Sequence, residues 1–192
     1  MSAHLESIAE SVKSVCGSAS DCAADHPRLE VTDEFSAQLD GLHHSTFDYF
    51  WSGSHRESGL PRDRMSSDGE PIHEVTSISG VGFGFLALIV GVHRSWITRQ
   101  EGIDRANRML RSLLAIARFH GACPHFLPTS GGETIPFAQF DDGGGLVGTT
   151  LLVPALICTR EVWGDQTRSA IGLRRSEAAI VATAEWYCFR AV

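Results

Sequence analysis

The sequence predicts an all-α chain, on three observations. Apolar residues recur at helical spacing, few segments alternate with period two, and the helices switch between amphipathic and apolar on every side. Long loops rich in Gly and Pro follow the first and third helices. The frame is that of an ordinary globular chain: 192 residues, 43% hydrophobic and 20% charged.

Residues 1–34 are rich in Ser, Ala and Asp, show weak periodicity, and read as a poorly ordered leader ahead of a domain over 35–192. Phe35, Leu39, Leu42, Phe47 and Phe50 then predict an amphipathic helix over 35–52. Residues 53–77 carry Gly53, Gly59, Pro61, Gly69 and Pro71, a stretch too long for a plain connection and therefore a candidate functional loop. Val81–Val92 is apolar all round, the signature of a helix buried all round. Thr98-Arg-Gln-Glu101 is a capping box. It opens a helix over 99–118 with Ile103, Ala106, Leu110, Leu113 and Ala117 on one face. Residues 119–144 form the second long loop. Residues 146–162 are again apolar around most of the circumference, with Pro154 expected to kink or shorten them. A last helix over 168–189 would turn Ile171, Ile180, Ala184 and Tyr187 inward.

Charge and cysteine usage exclude several classes. The net charge of −7 argues against nucleic-acid binding through a basic face. The five cysteines are scattered, without C-x-x-C, which fits neither a zinc ribbon nor a disulfide scaffold and reads as free thiols. The nine histidines show no metal-ligand spacing, so no metal or other cofactor is expected. No apolar run is read as reaching membrane-spanning length, and the first residues lack a signal-peptide pattern, so the expectation is a soluble, cytoplasmic chain without a membrane partner.

Two motifs carry chemistry. Gly82-Phe-Gly84-Phe-Leu-Ala87 fits G-x-G-x-x-A, but no β-α alternation surrounds it. Close packing of a glycine-faced helix is the simpler reading, and a nucleotide-binding module remains a lesser alternative. Asp141-Asp-Gly-Gly-Gly145-Leu-Val-Gly148 stands at the entry to the second buried helix. Two carboxylates there suit either helix capping or glycoside hydrolysis, which needs one acid and one base or nucleophile across the sugar.

From about residue 38 to 190 the chain resembles the glycoamylase-like glycoside hydrolases, which include endo-β-1,2-glucanases and the glycoamylase-like domain of cyclic β-glucan synthases. The resemblance rests on six motifs in register. These are Thr46-Phe-Asp-Tyr-Phe-Trp51, Ser58-Gly-Leu-Pro-Arg-Asp-Arg64, Gly80-Val-Gly-Phe-Gly84 and Gly91-Val-His-Arg-Ser-Trp-Ile-Thr-Arg-Gln-Glu-Gly102, then Arg118-Phe-His-Gly-Ala-Cys-Pro-His125, and Thr134-Ile-Pro-Phe137 leading into Asp141-Asp-Gly-Gly144. The resemblance implies a toroid of six α-α hairpins with the sugar site at one mouth. It implies a β-glucan substrate, β-1,2-linked first, and family members are often exported. Asp141 is the surviving candidate carboxylate, with Asp142 as cap or water-orienting partner. Arg62, Asp63, Arg64, His120 and His125 are candidate sugar contacts.

Two departures from the family pattern matter. The family reads Asp-Asp-Gly-Gly-Asp-Leu-Val-Glu, whereas this chain has Gly145 and Gly148 at the later Asp and Glu positions. Twelve helices with their connections would also need on the order of 240 residues. The expectation is therefore an incomplete toroid, its first half, with a degenerate catalytic motif, little activity and an open flank suited to self-association. A non-catalytic glucan- or partner-binding remnant is the alternative.

Overall fold

The computed structural model describes residues 32–139, 143–163, 168–183 and 185. The chain divides into two compact units, Met1–Asp40 and Gly41–Val192, and the packing that follows lies within the second. The elements are α1 (Asp33–Trp51), β1 (Val75–Ser77), α2 (Ile78–His93), α3 (Arg99–Leu114), β2 (Phe126–Pro128), α4 (Leu146–Trp163) and α5 (Arg168–Val181). The helices form two layers: α2 packs along α4, α3 packs along α5, and the hairpin pairs α2–α3 and α4–α5 join the layers. The alternation in the sequence thus separates an apolar inner pair from an amphipathic outer pair.

Glycines set the inner contact. A Cβ on Gly148 would lie 3.3 Å from Ile78 Cβ, and one on Gly82 would lie 2.9 Å from the Leu151 carbonyl oxygen. Contacts at 78/148 and then 82/151 advance in one direction along both helices, so α2 and α4 run parallel with their N-termini at the same end. Gly82 meets backbone, which cannot swing aside as a side chain can. Gly82→Ala is therefore expected to destabilise the fold by about 1–3 kcal/mol, the usual cost of overpacking. Urea unfolding of the two proteins measures it.

The core holds Ile78, Val81, Phe85 and Leu88 of α2, Ile103, Met109, Leu110 and Leu113 of α3, and Leu152, Leu156 and Trp163 of α4. Phe47 of α1 joins them, seated directly on the backbone of Gly91, where any side chain would strike its ring. The predicted capping box is present in full: Thr98 Oγ1 accepts from Glu101 N at 3.2 Å, and Thr98 N donates to Glu101 Oε2 at 2.7 Å.

Several expectations are revised. α3 ends at Leu114 rather than 118, which changes the turn phase, and Ile116 instead of Ala117 enters the core. α4 continues through Pro154 without a break. Pro154 lies on the exposed side, where the carbonyl that loses its partner can be hydrated. α5 stops at Val181 and passes into a turn, short of 189. Ile180 is buried as expected, whereas the side chains of Ile171, Ala184 and Tyr187 lie outside the described residues. Of the leader read over residues 1–34, residues 1–31 also lie outside them, whereas Asp33 and Glu34 already belong to α1. Contrary to the sequence reading, α4 is long and apolar enough to cross a membrane by length and composition. In the fold one side of it packs instead, burying Leu152, Ala155, Leu156, Thr159 and Trp163.

One buried acid stands out in the outer layer. Glu177 of α5 is 1% exposed, and both carboxylate oxygens are buried without a hydrogen-bond partner among the described residues. Burial pushes its pKa up to about 8, against the opposing pull of Arg160 and Arg174, with Glu161 adding to the rise. A carboxyl whose folded-state pKa is raised favours folding while protonated. Its contribution is complete below the unfolded value near 4.5 and declines as pH rises towards 8. Glu177→Gln should remove that decline, raising the melting temperature at pH 8 while changing it little at pH 4.5. Calorimetric scans at the two pH values measure the difference.

Candidate functional site

Because α2 and α4 start at the same end, so do the two long loops that lead into them. The loops are joined by a two-stranded antiparallel ladder that pairs Val75 with Pro128, Thr76 with Leu127 and Ser77 with Phe126. Side chains strengthen the junction. Ser58 Oγ donates to the Thr129 carbonyl at 2.5 Å, and Thr76 Oγ1 donates to the Pro61 carbonyl. Ile78 N, the first residue of α2, donates to the His125 carbonyl at 3.2 Å. The second loop is tied to α4 by Gly145 N, which donates to the Cys123 carbonyl at 2.7 Å, and by Thr149 Oγ1, which accepts from Cys123 N at 3.0 Å. The two long loops therefore meet at one end of the inner helices.

Arg62 is a brace within this junction. Its Nε and Nη2 donate to Glu74 Oε1 at 3.0 and 2.9 Å, its Nη1 donates to the Gly53 carbonyl at 2.8 Å, and its side chain is only 15% exposed. Thr129 Oγ1 donates to the other oxygen, Glu74 Oε2, at 2.5 Å. The Thr129 hydrogen bond, then that of Arg62, holds Glu74 below the ordinary carboxylate range, so it is an ionised acceptor at neutral pH. Beneath lies Tyr49, whose hydroxyl reaches the carbonyls of Arg62 at 2.6 Å and Asp63 at 3.0 Å. Burial and the charge of Asp63 raise its pKa and keep it a donor.

The other candidates fall into three positions. Asp63 is largely covered, with Arg64 Nε 3.5 Å from its Oδ2, while Arg64 itself is 72% exposed. His120 adopts a positive φ of 47° and pairs through Nδ1 with Glu185 Oε2 at 2.9 Å. His125 lies against Phe137, ring centroids 4.8 Å apart. Asp141 and Asp142 lie outside the described residues. The two glycines that depart from the family pattern both sit at the start of α4 and both face neighbours. A Cβ on Gly145 would be 3.0 Å from His125 Nδ1, and Gly148 abuts Ile78 and Ser79. Glu74, Thr129, Tyr49 and Phe126 were not singled out by sequence reasoning. Their partners are distant in the chain, so no local pattern marks them.

The nucleotide alternative does not hold. Gly82 is covered by the backbone of α4, and Gly84 faces Pro61 and Met109, so no phosphate can approach either. The strand ahead of α2 pairs antiparallel, not in a βαβ unit. Among the described residues no group of three or more His, Cys, Asp or Glu is arranged to hold a metal.

Parallel inner helices backed by an outer layer, with long loops gathered at the inner N-termini, define a partial α/α toroid of the glycoamylase-like kind. No protein-family profile matches the chain. It is 31% identical over 161 residues to an exo-β-1,2-glucooligosaccharide sophorohydrolase of Parabacteroides distasonis, an alignment covering 83% of this chain and 22% of the relative. Among solved structures it superposes on an endo-β-1,2-glucanase from Chitinophaga pinensis, in complex with sophorotriose and glucose, with a TM-score of 0.74 and 33% identity. That match covers 79% of this chain and 38% of the other. A β-1,2-glucanase from Parabacteroides distasonis gives a TM-score of 0.74 at 30% identity, over 83% and 22%. The chain is thus a relative of the glycoamylase-like glycoside hydrolases, and it spans between about a fifth and two fifths of the length of these proteins.

Proposed function

We propose that the chain is a β-glucan-recognising part of a glycoamylase-like hydrolase, directed at β-1,2-linked glucose chains and depleted in its own acid–base groups. The observation that carries this is the junction itself: the two loops bearing the family-like motifs meet at the inner N-termini, where Gly145 and Gly148 supply no side chain. The similarity to β-1,2-glucan-acting proteins of Parabacteroides distasonis and Chitinophaga pinensis supports the substrate class. In this reading Asp141 is the remaining carboxylate and Asp142 its cap or water-orienting partner. Asp63, Arg64, His120 and His125 meet sugar hydroxyls, and Arg62 holds the loop that presents them. Binding without turnover is the form favoured by the packing of Gly145 on His125. Self-association through an open helical flank belongs to the same proposal.

Isothermal titration with β-1,2-gluco-oligosaccharides, alongside β-1,3 and β-1,4 counterparts, tests it. Saturable heat with the β-1,2 series is expected. Absence of binding to all three would overturn the reading.

A further inference from the structure

The second loop carries an aromatic group that the hydrolytic residues do not account for. Phe137 leaves 59% of its surface exposed at the loop junction. Its ring is stacked on Phe126, centroids 5.8 Å apart and planes 20° apart, and it also lies against His125 at 4.8 Å and 31°. The backbone before the ring is held as well. Ile135 N donates to the Phe126 carbonyl at 3.0 Å, fixing the chain two residues before Phe137, and Pro136 between them restricts φ. Phe126 is itself locked in the ladder opposite Ser77. The ring is therefore preorganised, which lowers the ordering cost of binding.

The geometry points to Phe137 as a stacking platform for one glucosyl unit, backed by Phe126 and flanked by the imidazole of His125. This rests on the glucan-binding reading and extends it to a named subsite. A β-glucosyl ring carries its substituents equatorially, so each face presents axial C–H groups. Those hydrogens, slightly positive, suit the negative face of an aromatic ring. The equatorial hydroxyls then need a polar group close by, and the His125 imidazole packs against Phe137 with centroids 4.8 Å apart and planes tilted by 31°.

Titration of the full chain and two variants with β-1,2-gluco-oligosaccharide tests the platform. Phe137→Ala is expected to bind about tenfold more weakly, the equivalent of ~1.4 kcal/mol, with an unchanged melting temperature. Phe137→Trp should retain affinity, and its fluorescence should change on adding the sugar, a response a merely structural ring would not give. Equal affinity of the wild-type and Phe137→Ala proteins, or a Phe137→Trp emission unaffected by bound sugar, would overturn the platform while leaving glucan binding in place. A wild-type chain that binds no glucan would instead remove the reading beneath it.

Discussion

Incubated with β-1,2-glucan, the 192-residue chain is expected to release no reducing sugar above background. Glycoside hydrolysis needs one carboxylic acid to protonate the leaving oxygen and one carboxylate to activate water or attack the sugar. Losing a general acid or base costs typically about 10²–10⁴-fold in rate. Here two positions of the family-like pattern, Gly145 and Gly148, carry no side chain, and their backbone is already engaged. Gly145 donates to the Cys123 carbonyl, and Thr149 N donates to the Gly145 carbonyl at 3.0 Å. Restoring one carboxylate should not restore the rate. In Gly145→Asp the new Cβ would press on His125 Nδ1 at 3.0 Å, so the imidazole must move before the carboxylate can be placed. Gly145→Asp is thus expected to remain inactive, and glucan release by the parent chain at rates ordinary for glycosidases would refute the depletion of its acid–base groups. A double variant, Gly145→Asp with Gly148→Glu, asks whether the rest of the site is intact, with product formation followed by chromatography.

What was legible in the sequence follows from how local each signal is. The capping box at Thr98–Glu101 needs only residues three apart, and it forms as read. The all-round apolarity of α2 and α4 marked them as the inner pair, but burial all round is not found: Phe83 and Val90 of α2 and Val147, Leu151, Ile157 and Val162 of α4 stand exposed. Helix ends were less legible: α3 and α5 stop early, since their last turns depend on how the following segment leaves. The loop junction was legible as a place and not as a mechanism. Arg62 was read as a sugar contact from its motif, yet its donors bind Glu74, twelve residues on, and the Gly53 carbonyl. Glu74 in turn meets Thr129, fifty-five residues further along the chain. No periodicity or short motif encodes such a pairing; it exists only once the two loops have met. Phe137 lies in the Thr134–Phe137 motif, and nothing local marks it out, because its backing by Phe126 and His125 is a property of the fold.

In sedimentation, the chain is expected to associate rather than run as a single monomer. In a closed toroid each inner helix has an inner neighbour on both sides. Here α2 covers one flank of α4, and the residues along the opposite flank remain in solvent. Val147, Leu151, Pro154, Ile157, Cys158 and Val162 are all exposed, Val147 at 71% and Val162 at 54%. Their spacing repeats at three and four residues, so they form one stripe along the whole helix. Phe83 and Val90 on α2 add a second exposed pair, beside a groove of about 600 Å³ lined also by Phe47 and Phe50. Each large apolar side chain left in water forgoes up to roughly 1.5–3 kcal/mol of burial. The stability of a whole domain is only about 5–15 kcal/mol. A few such residues therefore weigh as much as the fold, and contiguous apolar patches of this kind drive association. The expected behaviour is oligomers or partly ordered states that bind a hydrophobic dye. Charged substitutions in the stripe, Val147→Lys with Leu151→Glu, should shift the population towards monomer and reduce dye binding, because neither position contributes to the core. A sharp monomer peak for the parent chain, with cooperative melting and no dye binding, would show that the α4 stripe is tolerated in water and that the open-flank reading is wrong.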